Sequence, residues 1–242
     1  MKIELRVWRQ SGPKDPGRFE TYEVDASEHL SLLDLLDAVN DRLVAEGREP
    51  IAYESDCREG ICGACGVTVD GSPHGPVANT PSCRQHVRSL TGSQITIEPF
   101  RSAAFPVVKD LVVDRSALTE LMGVGSVAVN AGTAPDADAL PSGHDEAEEA
   151  LDFAACIGCG ACVAACPNGA ANLFAGAKLA HLALIPQGRV ERRRRAREMT
   201  RVLDEHFGPC SSFGECVEVC PAGIDLRAIA ALHRERLWHW RR

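Results

Sequence analysis

The stretch Cys156-Ile157-Gly158-Cys159-Gly160-Ala161-Cys162-Val163-Ala164-Ala165-Cys166-Pro167 decides the fold of this chain. Its spacing, C-x2-C-x2-C-x3-C-P, is the one with which a single loop supplies thiolates to iron-sulfur clusters. Where two such runs serve two clusters, the fourth cysteine of each run binds the cluster of the other run. The stretch therefore predicts a second, reciprocal run elsewhere in the sequence.

The second run lies downstream, and it is incomplete. Its middle position holds Phe213, whose side chain cannot bind iron. Four thiols remain for a 4Fe-4S cluster: Cys156, Cys159, Cys162 and Cys220, which precedes Pro221. Three thiols remain for its neighbour, which we predict to be a 3Fe-4S cluster: Cys166, Cys210 and Cys216. The alternative is a second 4Fe-4S cluster whose fourth iron takes water or a non-cysteine ligand.

The other four cysteines form a separate group with the plant-type 2Fe-2S spacing, four and then two intervening residues followed by a distant fourth thiol. They are Cys57, Cys62, Cys65 and Cys83. Glycines inside the group let the backbone approach the sulfurs and adopt positive φ angles: Gly60, Gly63 and Gly66. Two alternatives stay open, a zinc site, which typically presents paired C-x2-C arms, and a free buried thiol at Cys83.

The composition of the 242-residue chain excludes several classes of function. All eleven cysteines are assigned to clusters, so no thiol remains as a nucleophile, and no hydrolytic triad, phosphate loop or dinucleotide fingerprint is recognisable. The net charge of −8 argues against general nucleic-acid binding. No apolar run reaches the roughly 18 residues of a membrane span. Met1 to Gln10 lacks the features of a signal peptide, so we expect the protein to stay on the cytoplasmic side.

Hydrophobic patterning divides the chain into a mixed first part, 1–104, and a helical second part, 105–242. In the first part, Ile3, Leu5 and Val7 alternate with polar residues as in a half-buried strand, and 32–43 has helical spacing. Further short strands are predicted at 67–69 and 95–97. This order is typical of a small mixed sheet crossed by one helix.

In the second part, helices are predicted around 172–184, 190–206 and 224–238. Ala131 to Ala150 has few apolar anchors, and we predict a surface excursion there. The basic run formed by Arg192 to Arg195 and Arg197 is typical of a solvated helix face, with an acidic partner or anionic lipid as the alternative.

Taken together, these motifs resemble one family, the iron-sulfur subunits of succinate dehydrogenase and quinol:fumarate reductase. The resemblance covers nearly the whole chain and rests on four stretches: Ser55-Asp56-Cys57-Arg58-Glu59-Gly60-Ile61-Cys62-Gly63-Ala64-Cys65-Gly66, Asp110-Leu111-Val112-Val113-Asp114-Arg115, Cys156 to Pro167, and Cys210 to Pro221. It implies an α+β fold, with an N-terminal beta-grasp plant-type 2Fe-2S ferredoxin domain followed by an all-helical bacterial-type ferredoxin domain.

The resemblance also implies partners. An FAD-containing flavoprotein subunit would face the 2Fe-2S end, while the 3Fe-4S end would face quinone beside a membrane-anchor subunit of the cytochrome b type. The chain would then lie on the cytoplasmic face of the membrane and hold no complete active site alone. Trp238, Trp240, Arg241 and Arg242 suit such a membrane edge, with a packed or frayed terminus as the alternative.

Family quinone sites use residues around the 3Fe-4S ligands, so the resemblance makes Pro167, Ser211 and Phe213 candidate quinone contacts, with ordinary loop packing as the alternative. Ubiquinone-reactive members often carry tryptophans after the Cys-Pro and a histidine after the later cysteine. Here residues 168–171 are Asn, Gly, Ala and Ala, and Ser211 follows Cys210, which favours menaquinone. His206 could deliver protons to quinone or be structural.

Three rival interpretations remain at this point. The chain could serve fumarate reduction instead of succinate oxidation, because ligand spacing does not encode direction. It could be a subunit like those of heterodisulfide reductases or glycolate oxidases, although these usually have two complete runs and lack the plant-type group. It could also be a free electron carrier, for which the helical part is larger than necessary.

Overall fold

A computed structural model of the chain describes residues 1–90, 92–125 and 142–240, without the side chains of 238–240. The predicted membrane-edge residues at the C-terminus therefore lie outside the described side chains. In the described part, strands and helices follow the order expected from the sequence, strands first and helices afterwards.

The first part contains a five-stranded mixed sheet in the order β2-β1-β5-β3-β4. The strands are β1 (Lys2–Arg9), β2 (Arg18–Asp25), β3 (Thr68–Val69), β4 (Ser72–Pro73) and β5 (Gln94–Glu98). β1 pairs antiparallel with β2 and parallel with β5, with Leu5 opposite both Tyr22 and Ile95. Because side chains alternate across a strand, Ile3, Leu5 and Val7 all point into one core.

Helix α1 (Leu32–Ala45) covers that face of the sheet. Ser31 caps it in a capping box, since the Asp34 backbone N–H donates to Ser31 and the Asp34 carboxylate accepts from the Ser31 backbone N–H. The apolar face, at Leu32, Leu36, Val39 and Leu43, is fully buried. The predicted helix, its mixed sheet and the strands flanking the cysteine loop are thereby confirmed.

A hairpin of β6 (Val107–Lys109) and β7 (Val112–Val113) connects the two parts. At its tip, the buried Asp110 carboxylate accepts hydrogen bonds from Arg9 Nε at 3.1 Å and from the Gln10 and Ala52 backbone N–H groups at 2.9 Å each. Leu111 joins the core under the sheet, whereas Phe105 joins the core of the helical part. The connection is therefore locked into both parts of the molecule.

The second part is helical, as predicted. Its helices are α2 (Ser116–Gly125), α3 (His144–Ala154), α4 (Ala161–Ala165), α5 (Asn172–Leu184), α6 (Arg189–His206), α7 (Glu215–Glu218) and α8 (Arg227–Trp240). Helix α5 lies at the centre, and most of its residues are buried. At Gly176 it approaches α8 so closely that an added Cβ would lie 2.2 Å from the Ala228 carbonyl oxygen.

Two predictions about this part are wrong. Residues 144–150 of the predicted excursion form the start of α3, because Ala150 and Phe153 give that segment an apolar side to bury, and 126–141 lie outside the described residues. The basic run is not a uniformly solvated face, since the Arg195 side chain is only 1% exposed. Its Nε donates a hydrogen bond to the Gly125 carbonyl oxygen at 2.6 Å. This bond supplies a donor to a carbonyl group at the end of α2, where no further turn of helix provides one.

Candidate metal centres

The loop that carries Cys57, Cys62 and Cys65 wraps closely because its backbone turns repeatedly into the left-handed region. The φ angles of Arg58, Gly60 and Gly63 are 54°, 81° and 73°. These turns aim backbone N–H groups at sulfur, and Glu59 N donates to Cys57 Sγ at 3.3 Å. Hydrogen bonds from Ile61 N–H, the Cys62 thiol and Glu59 N–H lower the pKa of Cys57 to about 7. The loop therefore favours the thiolate form that binds iron.

Cys83 is brought to this loop from a separate 3₁₀ turn, Ser82–Arg84. It lies beside Cys65, which accepts a backbone hydrogen bond from it, and both residues are buried. Burial raises the pKa of Cys65 to about 12, because a low-dielectric surrounding disfavours the charged thiolate. All four predicted thiols of the first group thus meet at one place, two of them buried and one, Cys62, exposed.

The turn that holds Cys83 is supported by a buried histidine, His74, which is not a predicted site residue. His74 Nδ1 lies 2.9 Å from Ser82 Oγ and 3.2 Å from Ser82 N, and its ring stands edge-on to Phe100. Burial lowers the pKa of His74 to about 4, so its ring is neutral at pH 7. A lone histidine outside any motif carries no recognisable signal in the sequence.

The complete run lies in the helical part. Its first three thiols line one cavity with Cys220 and with Leu173 and Phe174 of α5. Burial raises the pKa of Cys159 to about 12 and that of Cys162 well above its ordinary value. Such thiols ionise only if a positive centre compensates the charge, which is what a metal site supplies. The structure brings together the four residues predicted for the 4Fe-4S cluster: Cys156, Cys159, Cys162 and Cys220.

The incomplete run lines a second cavity at the surface, and Phe213 is one wall of it. The three thiols predicted for the 3Fe-4S cluster, Cys166, Cys210 and Cys216, meet there. Burial, and then the nearby Cys166 and Cys210, raise the pKa of Cys216. Charge on Cys216 contributes to the raised pKa of Cys162, so the two thiol sets are neighbours.

The two runs have matching backbones. In the first, Gly158 and Gly160 have φ angles of 66° and 86° on either side of Cys159, and α4 follows. In the second, Ser212 and Gly214 have φ angles of 56° and 101° on either side of Phe213, and α7 follows. Phe213 therefore occupies the position in its loop that Cys159 occupies in the other. Cys159 is 7% exposed, whereas Phe213 is 58% exposed.

The three residues predicted to contact quinone lie around the second cavity. Phe213 and Ser211 line it, whereas Pro167 is exposed beside Cys166. Asn168 joins the two loops there, since its Nδ2 donates to the Pro209 carbonyl at 2.9 Å and to Ser211 Oγ at 2.8 Å. This role of Asn168 could not be predicted from the sequence, because its partners lie more than 40 positions away along the chain.

His206 is not part of this cavity. Its Nε2 lies 3.1 Å from a Glu120 carboxylate oxygen, across the contact between α2 and α6. This partly exposed polar contact joins two helices, which agrees with the structural interpretation of this histidine.

The donor chemistry of all three thiol sets fits iron-sulfur clusters. Among the described residues, no group of three or more His, Cys, Asp or Glu side chains is arranged to hold a single metal ion. Thiolates around a multi-iron cluster lie farther apart than the ligands of one ion, so this finding leaves the cluster assignment untouched. Within the same described ranges, no helix is long and apolar enough to cross a membrane.

Comparison with protein families gives two matches that follow the two parts of the chain. Residues 4–120 match the family described as "2Fe-2S iron-sulfur cluster binding domain". Residues 155–224 match the family described as "4Fe-4S dicluster domain". The expected order of a 2Fe-2S domain and a helical two-cluster domain is thereby confirmed.

Individual proteins resemble the chain over almost its full length. A fumarate reductase iron-sulfur subunit of Haemophilus influenzae is 30% identical over 93% of this chain and 88% of its own. A succinate dehydrogenase iron-sulfur subunit of Bacillus subtilis is 27% identical over 96% of this chain and 92% of its own. In fold, a chain of the Mycobacterium smegmatis Sdh1 complex matches with a TM-score of 0.74 at 24% identity, covering 98% of this chain and 95% of that one.

Proposed function

This chain belongs to the family of iron-sulfur subunits of fumarate reductase and succinate dehydrogenase, and from that membership we propose that it relays electrons from a flavin to quinone through three clusters. The proposed order is 2Fe-2S, 4Fe-4S and 3Fe-4S. When bound, these clusters supply one-electron chemistry, since their potentials span roughly −700 to +450 mV. The chain's own residues would bind the clusters and fix their order.

The observation that carries the proposal is the serial arrangement of the three thiol sets. The loop of the first set touches the loop of the second, because an added Cβ on Gly63 would lie 2.5 Å from the Ile157 carbonyl oxygen. The second set adjoins the third at Cys162 and Cys216. The outer sets reach the surface at the exposed Cys62 and beside the exposed Phe213, whereas two thiols of the middle set, Cys159 and Cys220, are buried. A centre that lies between two centres near the surface supports an electron relay between two partners.

The proposed three-iron cluster rests on the matching backbones of the two runs. Phe213 has no donor atom at the position where Cys159 has its thiol. With Cys166, Cys210 and Cys216 as ligands, the site supplies one thiolate too few for a four-iron cluster. Water or another side chain as the fourth ligand is the competing proposal, and resonance spectra of the oxidised protein distinguish the two.

The proposed partners follow from the two surface ends. At the 2Fe-2S end, Ile61 is 71% exposed beside Cys62, which suits a flavoprotein subunit that carries FAD. At the other end, Phe213 and Leu226 are exposed at 58% and 53%, which suits an integral cytochrome b-type anchor subunit. We place quinone near Pro167, Ser211 and Phe213, and menaquinone fits the absence of tryptophan after Pro167. The chain would then lie peripherally on the cytoplasmic face of the cell membrane.

Succinate oxidation is the proposed direction of catalysis, and fumarate reduction is the second candidate. The similarity to the Haemophilus influenzae fumarate reductase subunit supports the second candidate. The division into residues 1–104 and 105–242 is also part of the proposal, with the hairpin of β6 and β7 as the first element of the second domain.

The native complex purified from membranes tests the proposal. We expect the chain to co-purify with a flavoprotein and a membrane subunit and to contain about nine iron atoms per chain. The complex should be active in succinate:quinone and fumarate reductase assays. The ratio of the two rates reports the direction of catalysis. Isolation as an active, partner-free monomer, or a partner chain without flavin, would contradict it.

A further inference from the structure

Arg115 is the residue in which the two parts of the molecule meet most directly. Its side chain is 18% exposed and reaches from the end of the connecting hairpin into the gap between two cysteine loops. Its guanidinium donates to three carbonyl oxygens, two from the 2Fe-2S loop and one from the 4Fe-4S loop: Gly63 at 2.9 Å, Ala64 at 3.0 Å and Cys159 at 3.2 Å. It also forms an ion pair with the Glu54 carboxylate.

The two loops joined in this way are in backbone contact. Gly63 has a φ angle of 73°, and an added Cβ would lie 3.1 Å from both Cα and N of Cys159. This contact is formed by a residue between two candidate 2Fe-2S ligands and by a candidate 4Fe-4S ligand. Electron transfer slows steeply as the distance between centres grows, so a group that fixes this contact also fixes the first internal step of the relay.

The guanidinium adds a positive charge at the same place. Each cluster gains a negative charge on reduction, and cluster potentials respond to nearby charge and hydrogen bonding. Arginine stays protonated and presents a rigid fork of donors, so it serves several fixed carbonyl groups at once, whereas lysine offers a compact charge without that geometry. Glu54 offsets part of the charge from one side.

We propose that Arg115 is a positioning residue for electron transfer, which holds the 2Fe-2S and 4Fe-4S loops at a fixed separation and raises the reduction potential of both clusters. The inference rests on the proposed function, because it presumes that both thiol sets hold clusters. It goes further by giving a role to one residue that ligates neither cluster.

Three variants of the purified complex test the inference. Arg115→Gln removes the charge and most of the bridge, whereas Arg115→Lys keeps the charge and loses the bridge. Arg84→Gln is the matched control, since Arg84 adjoins Cys83 and pairs with Glu59 of the first loop at 3.6 Å. The readouts are redox titration of each cluster and the power saturation of the reduced 2Fe-2S resonance, which a nearby reduced 4Fe-4S cluster relaxes.

We expect Arg115→Gln to shift both potentials downward and to weaken the mutual relaxation. Arg115→Lys should keep the potentials near those of the wild type and still weaken the relaxation, and this variant carries the test if Arg115→Gln does not assemble. Arg84→Gln should shift the 2Fe-2S potential alone. Wild-type potentials and relaxation in both Arg115 variants, with both clusters present, would overturn the role proposed for Arg115 and leave the proposed relay intact. Absence of either cluster from the wild type would overturn both proposals.

Discussion

The two cysteine runs of the helical part have the same backbone and different surroundings. Each has a residue between two positive φ angles, then a short helix, then Cys-Pro. The first run places Cys159 inside the protein, whereas the second places Phe213 at the surface. One loop backbone can therefore present either a buried thiol or an exposed ring at the same position, and the proposed cluster types follow from that single side chain.

The strongest test of the comparison is loss of a thiol in the buried run. We expect Cys159→Ser to remove the 4Fe-4S cluster, to lower the iron content from about nine to roughly five atoms per chain, and to abolish electron flow to quinone. Because cluster binding is coupled to folding, the melting temperature should fall as well. Ala164→Ser, in the helix that follows, is the control and should retain all iron. Full iron content in Cys159→Ser would refute the assignment.

The next test makes the two runs alike. Phe213→Cys supplies the missing thiol, so we expect a four-iron cluster in place of the three-iron one and a lower potential, with the equilibrium ratio of reduced to oxidised cluster falling roughly tenfold per ~59 mV. Quinone reduction should slow accordingly. Phe213→Ser removes the ring without adding a thiol and should keep the three-iron spectrum. If Phe213→Cys also keeps it, residue 213 is not the missing-ligand position.

A smaller effect is expected where the helices after the two runs pack together. An added methyl group in Gly176→Ala would collide with the Ala228 carbonyl oxygen at 2.2 Å, so α5 and α8 must separate. We expect a loss of roughly 1 to 3 kcal/mol in the free energy of unfolding, measured as a lower melting temperature. Gly123→Ala in α2, where no described atom lies within 4 Å of the added Cβ, is the control. Equal melting temperatures in the two variants would contradict this packing.

The smallest effect concerns the polar link between the runs. Asn168→Ala loses the hydrogen bonds to Pro209 and Ser211. We expect a loss of about 0.5 to 1.5 kcal/mol in the free energy of unfolding, because water can replace the lost partners at this partly exposed site. The three-iron cluster should be lost faster on exposure to a chelator, while the buried cluster persists. Ser211→Ala removes one of the two bonds and should have a smaller effect. Identical rates of loss for both clusters would contradict the link.

The cysteine spacing was sufficient to predict the three thiol sets, because most ligands of one set lie within a short stretch of sequence. The second run was expected because the fourth cysteine of each run binds the cluster of the other run. The apolar pattern was also sufficient for α1 and α5, whose buried positions recur at helical spacing. In both cases the information lies within one short window of sequence. The structure then brought each predicted set together across distances along the chain that spacing alone does not specify.

Contacts between distant segments could not be predicted in this way. Nothing near Arg195 indicates that it will satisfy the carbonyl group of Gly125, 70 positions earlier. Likewise, Asp110 and Arg115 belong to a stretch on which the family resemblance rests, but their partners at Ala52, Gly63 and Cys159 lie on other elements. The start of α3 was not predicted, because its apolar side consists of few residues. These residues are buried by packing against α5, which the local sequence does not indicate.

The most direct test of the central claim is electron paramagnetic resonance of the oxidised, purified complex. An oxidised three-iron cluster is paramagnetic, whereas the usual oxidised 2Fe-2S and 4Fe-4S clusters are not. We predict one three-iron signal per chain in the wild type, and its replacement by a signal that arises only on reduction in Phe213→Cys. Absence of any three-iron signal from an oxidised complex that holds its full iron content would contradict the account.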